Sequence, residues 1–165
     1  MEYECRKMTV DQAGEVLELY RTNPQYFVYC PPEADPASVK RDLTVYPPGC
    51  TADQKHSSGF YEKGKLIAFL DLITDFPEKK QAYIGLFMVR GDMHHKGIGS
   101  RIIRSLCADL EDRGFISVSL GYVKNNVPAE MFWKKNGFIP NGKETETGQY
   151  TVCAAEKSLQ GRETA

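Results

Sequence analysis

Gln81-Ala-Tyr-Ile-Gly-Leu-Phe-Met-Val89 runs into Arg90-Gly-Asp-Met-His-His-Lys-Gly-Ile-Gly-Ser100, a junction between two kinds of secondary structure. The first segment is apolar at odd and even positions alike, as a central strand covered on each side must be. After a loop over 90–96, Ile98, Ile102, Ile103, Leu106, Cys107 and Leu110 recur at helical spacing, with Arg101, Arg104, Asp109 and Asp112 facing away. Gly114 is placed to end that helix. Where a helix begins, its first backbone N–H groups lack partners and carry the positive end of the dipole, so an anion is favoured there. Gly97 and Gly99 have no side chains to keep a phosphate from the backbone, and Lys96 adds positive charge. The junction therefore predicts a phosphate site.

Working outward, 115–121 alternates Ile116, Val118 and Leu120 with serines, a strand of period two. A helix follows from about Asn126, with Pro128 in its first turn and Asn136-Gly137 at its end. Segments 138–139 and 150–155 complete a sheet. Upstream, 58–62 and 66–73 flank Lys63-Gly64, a tight hairpin turn. Tyr3 to Met8 reads as a strand, and Thr9 with Gln12 forms a capping box before a helix reaching Thr22. Six prolines break the pattern over 23–56 and leave room for one short helix near 37–45. So long an irregular segment is either functional or a surface excursion packed by Tyr26, Phe27 and Tyr29. The whole reads as one mixed α/β domain over 1–165.

Composition narrows the class. A chain of 165 residues suits a single core, and a formal charge of −1 with no basic run argues against a nucleic-acid partner. No apolar run approaches the roughly 20 residues that cross a bilayer, so no membrane partner is expected. The acidic start Met1-Glu2-Tyr3-Glu4 does not open like a secretory signal. Five scattered cysteines without a C-x-x-C pair argue against disulfides or zinc, which points to a reduced, cytoplasmic protein. His94 and His95 diverge as neighbours and only His56 remains elsewhere, so no metal is expected.

Two phosphate motifs fail on the residues. In a Walker loop Ser or Thr follows the lysine, whereas Gly97 follows Lys96. In the dinucleotide fingerprint a third glycine stands where this chain has Ile102. His94-His95-Lys96-Gly97-Ile98-Gly99 instead resembles the Q/R-x-x-G-x-G/A acyl-CoA loop of the GNAT superfamily of N-acyltransferases, with His94 in place of Gln or Arg. The segment from Asn126 through Ala129, Phe132, Trp133 and Lys135 to Gly137-Phe138 resembles a second GNAT motif, N-x-x-A-x-x-F/L-Y/W-x-K/R-x-G-F. Core packing by Phe132, Trp133 and Phe138 explains part of that second pattern. The similarity spans about 65–138.

The resemblance implies a single-domain GNAT fold: a central twisted mixed sheet of six to seven strands, flanked by helices on both faces. It implies acetyl-CoA as co-substrate, with no metal. The central strand would splay from its neighbour, Phe87, Met88 and Val89 would meet the pantetheine arm, and the Phe87 N–H would face the thioester carbonyl. Main-chain amides of Lys96, Gly97, Ile98, Gly99 and Ser100 would take the pyrophosphate, with His94 and His95 part of the same coenzyme-binding loop. Asn126, Ala129, Phe132, Trp133 and Lys135 would complete the coenzyme site. An acetyl group would pass to a primary amine by direct attack in a ternary complex, which requires the amine to lose a proton.

This sequence departs from the family at two acid–base positions. The strand glutamate that draws the proton in many relatives is here Tyr83, and the tyrosine that protonates the thiolate is Trp133, whose indole cannot. Asp71, Asp75 and Tyr83 stand as alternatives for the base. The departures also keep open a catalytically silent CoA-binding or regulatory module. Segments 23–56 and 141–149 would frame an acceptor pocket. The acceptor, a small molecule or a peptide, is left open, as is a homodimer.

Overall fold

A computed structural model describes residues 3–159. One sheet of seven strands runs in the order β1-β2-β3-β4-β5-β7-β6. Its strands are β1 (Glu4–Lys7), β2 (Lys55–Glu62), β3 (Lys65–Thr74), β4 (Gln81–Val89), β5 (Ser117–Val123), β6 (Ile139–Glu146) and β7 (Thr151–Ser158). Every neighbouring pair is antiparallel except β4 and β5. That parallel pair needs a crossover, which α4 (Ile98–Asp112) supplies.

Alternation along the strands sends side chains to two cores. Ala68, Leu70, Leu72, Ala82 and Ile84 meet Ile98, Ile102, Ile103 and Leu110 of α4 and Trp133 of α5 (Val127–Lys135). Leu66, Phe69 and Met88 face the other way, onto Val16, Leu19 and Tyr20 of α1 (Ala13–Arg21) and Val39 and Leu43 of α3 (Pro36–Thr44). Helices thus flank both faces, as expected.

Local signals are realised closely. Thr9 and Gln12 cap each other's backbone at a short 3-10 turn leading into α1. Lys63 and Gly64 both take positive φ, 51° and 80°, in the β2–β3 hairpin. Asn126 accepts from the Ala129 amide at 3.2 Å and caps α5.

Two expectations are corrected. Segment 23–56 holds a further helix, α2 (Pro24–Tyr29), in addition to α3 and a 3-10 turn at 52–54. Proline at its first turn starts α2 instead of breaking it, since that N–H needs no acceptor. Tyr26 and Phe27 pack it onto the α1 core. Beyond Ile139 the chain stays extended to Glu146, so 141–146 is a bulged edge strand and not a loop. Its eight residues are all exposed, which removes the periodic apolar signal that marks a strand.

Candidate active site

Pairing of β4 with β5 stops at Ile84 opposite Leu120, while β4 continues to Val89 along β3. A gap opens between the two parallel strands beyond Ile84. The Arg90 amide donates to the Ile67 carbonyl across β3 at 2.8 Å. Backbone groups alternate in direction along a strand, so those of Val89 and Phe87 point to the gap. The Val89 carbonyl is held by Asn23 Nδ2 at 3.1 Å and a His94 ring nitrogen at 2.9 Å. What projects into the gap for a ligand is therefore the two N–H groups and the Phe87 carbonyl. On the α4 side Phe87 lies 6.1 Å from both Phe132 and Trp133, centroid to centroid.

The loop after β4 is fixed from an unforeseen quarter, the C-terminal end of α1. Thr22 Oγ1 accepts from the Gly91 amide at 2.8 Å, and buried Asn23 supplies the contact to Val89. A Cβ on Gly91 would collide with the Thr22 carbonyl oxygen, so this glycine is a requirement of space. Gly97 then turns the chain into α4 with φ of 77° and open room around its missing Cβ. Lys96, exposed beside it, offers charge, and Arg101 is folded back onto the Lys96 carbonyl at 2.8 Å.

Gly99 has a different reason. A Cβ there would stand 3.0 Å from Phe132 Cε1 and 3.4 Å from Val89 Cγ2. It admits the neighbouring side chains, not a phosphate. Asn136, which sequence reasoning passed over as a helix terminator, donates to Ser100 Oγ at 3.2 Å and ties the end of α5 to the first turn of α4. Lys135 is exposed and Ala129 half-buried. Trp133 lies in the core, 5.2 Å from Phe138.

On the opposite face of the sheet lies a cavity of about 270 Å³, lined by Val45, Tyr46, Pro47, Pro48, Asp71, Ile73, Tyr83 and Gly85. Gly85 is a β-bulge, because Asp71 pairs with Leu86 and Leu72 with Ile84. A Cβ on Gly85 would be 2.6 Å from Asp71 Oδ2, so the carboxylate leans over β4 where its pairing with β5 ends. Lys55 Nζ contacts Asp71 Oδ1 at 2.8 Å. Burial pushes the Asp71 carboxyl up, the Lys55 hydrogen bond and charge pull it down, and Asp42 pushes it up again; burial prevails. Burial, and then the charge of Asp71, also raise the Tyr83 phenol, so it stays protonated and suits a donor better than a base. Asp75 is exposed and its carboxylate accepts from the Lys80 amide in the β3–β4 turn, which places it outside this cavity.

A second cavity of about 210 Å³ adjoins at Tyr83, walled by Gln81, Ser117, Ser119, Asn141, Lys143 and Glu156 among others. Segments 23–56 and 141–149 thus each contribute to one of two adjacent cavities. Among the described residues no group of three or more His, Cys, Asp or Glu is arranged to hold a metal, and no helix is long and apolar enough to cross a membrane.

A splayed parallel pair, an open helix N-terminus after the central strand and a cavity on the reverse face make the arrangement that the sequence resemblance led us to expect. The profile of the acetyltransferase (GNAT) family matches residues 16–138, and the chain belongs to that family. The fold matches an acetyltransferase from Thermus thermophilus with a TM-score of 0.77 at 19% identity, over 96% of this chain and 97% of that one. It also matches the ribosomal-protein-S18-alanine N-acetyltransferase of Escherichia coli, with a TM-score of 0.70 at 13% identity over 98% and 97%. A PaiA N-acetyltransferase from Thermoplasma acidophilum, solved with coenzyme A, gives 0.68 at 18% identity over 96% and 99%. No curated protein matches the chain in sequence. Membership implies acyl transfer from acetyl-CoA.

Proposed function

We propose that this protein transfers an acetyl group from acetyl-CoA to a primary amine by direct attack, with Asp71 as the base. The observation that carries it is the Asp71 carboxylate, held over Gly85 at the point where β4 leaves β5 and at the base of the reverse-face cavity. Such a carboxylate replaces the missing strand glutamate from the neighbouring strand β3. Its raised proton affinity improves it as an acceptor, since a base works best with a pKa close to the working pH.

The coenzyme would lie on the α4 side, with its pyrophosphate at the amides following Gly97, whose surroundings leave room for it. Its pantetheine arm would run along the N–H groups of Val89 and Phe87. The Phe87 N–H would then donate to the thioester oxygen as charge develops, a contribution of about 3–4 kcal/mol in comparable oxyanion sites. An amine entering from the cavity as its ammonium gives one proton to Asp71, bonds to the acyl carbon and displaces the CoA thiolate, its second N–H proton passing to water. Trp133 is buried among aromatic rings and supplies no proton, so the thiolate leaves as such or takes one from water.

Thiol release from acetyl-CoA with a panel of amines, alongside calorimetric titration of CoA, tests this. Turnover in the wild type that Asp71→Asn lowers by about 10²–10⁴, with CoA affinity kept, is the expected result. CoA binding without turnover would favour a silent coenzyme-binding module, and no CoA binding would overturn the reading.

A further inference from the structure

We infer that the acceptor is a compact amine with an apolar, preferably aromatic, body and a single positive charge. This deepens the proposed function and rests on it. Of the residues lining the cavity that holds Asp71, Val45, Tyr46, Pro47, Pro48, Ile73 and Tyr83 present apolar surface and Asp71 the one charge. Val45 and Tyr46 leave 60% and 39% of their surface exposed at its rim. Exposed apolar groups beside a cavity gain from covering by an apolar ligand.

Charge limits the choice further. Asp71 also contacts Lys55 at 2.8 Å, an ammonium that is not among the residues lining the cavity. Asp42, hydrogen-bonded to the Tyr20 hydroxyl at 2.8 Å, lies close enough to raise the Asp71 carboxyl, and its own carboxyl is raised by burial. Asp71 is the one charged group on the cavity's lining, so the cavity offers a place to one cation. That matches one ammonium and opposes a polyamine, whose further charges would lie on the apolar wall. Size agrees: about 270 Å³ is just under the roughly 300–1,000 Å³ of sites for drug-sized ligands. A peptide N-terminus would instead spread past Tyr83 into the polar cavity beside Ser117, Ser119 and Lys143.

The test titrates 2-phenylethylamine, n-propylamine, spermidine and an alanine-initiated tetrapeptide into the CoA-saturated protein by calorimetry, with turnover measured in parallel. 2-Phenylethylamine is expected to bind, and to show kcat/KM, at least about tenfold better than the other three, since filling an apolar pocket is worth roughly that factor. The double variant Val45→Ser, Tyr46→Ala, changed at exposed positions, should remove most of this preference while CoA affinity is retained. Tighter binding of spermidine or the peptide, no preference for the aromatic amine, or a preference untouched by the double variant would overturn the inference. If CoA itself fails to bind, the acyltransferase reading falls, and the same titrations into the free protein still decide what the cavity accepts.

Discussion

A Cβ on Gly85 would stand 2.6 Å from Asp71 Oδ2, and one on Gly91 would strike the Thr22 carbonyl oxygen, so both glycines answer to space. Gly85→Ala should displace the carboxylate and lower turnover at least about tenfold with CoA affinity unchanged, because a catalytic base must stay within hydrogen-bond reach. Gly91→Ala should destabilise the fold by about 1–3 kcal/mol, read from urea denaturation, because backbone cannot yield as a side-chain tip can. The pH profile separates Asp71 from its rivals. Its base form appears only as pH rises past a pKa that burial has raised, so the acid limb should sit above the usual aspartate range. Lys55 lowers that pKa, and Lys55→Met should therefore move the limb to still higher pH. An unmoved limb would assign it to another group.

Between elements, the contact that matters is α1 against the β4–α4 loop. Thr22 and Asn23 close α1 and hold Gly91 and Val89, so the helix end aligns the strand and loop on which the coenzyme would lie. Thr22→Val leaves the Gly91 amide without its acceptor, at a cost of about 1–3 kcal/mol. CoA affinity should fall in that variant although Thr22 is not among the residues proposed to meet the coenzyme; unchanged affinity would show the loop to be held otherwise. Gly97 and Gly99 should part company in the same measurement. Gly97→Ala meets an unfavourable left-handed φ of 77°, costing about 1–2 kcal/mol at the start of α4. Gly99→Val should instead disturb the packing of Phe132 and Val89, and so lower thermal stability as well as CoA binding.

Across the molecule, the sheet separates two faces, and the pairing of β4 with β5 ends at Ile84 between them. The α4 face carries the helix start and Lys96; the reverse face carries Asp71, Asp42 and Lys55. Burying Asp42 and Asp71 has a consequence for stability. Both carboxyls are raised, so the folded chain holds their protons more tightly than the unfolded chain does. That stabilisation is complete below the ordinary carboxylate range and is lost as pH rises through the raised folded values. The stability of wild type relative to Asp42→Asn should accordingly decline from acid to neutral pH.

What residues 81–100 determined alone was local: a strand apolar on both faces, a glycine turn and a helix whose stripe has one period. The capping box at Thr9 and Gln12, the Lys63-Gly64 hairpin and the Asn126 cap were legible for the same reason, since each is settled within a few residues. The motif resemblance pointed to the loop before α4, and a helix does begin there after Gly97. Helix α2 and the edge strand β6 escaped, one hidden among prolines and the other lacking any buried face. Only the tertiary structure could put Asp71 and Tyr83 on one cavity and Asp75 outside it, or give Gly99 to Phe132 and Gly91 to Thr22. Those choices depend on contacts between residues 14 to 69 positions apart, and no periodicity in a chain records which distant side chains a sheet register brings face to face.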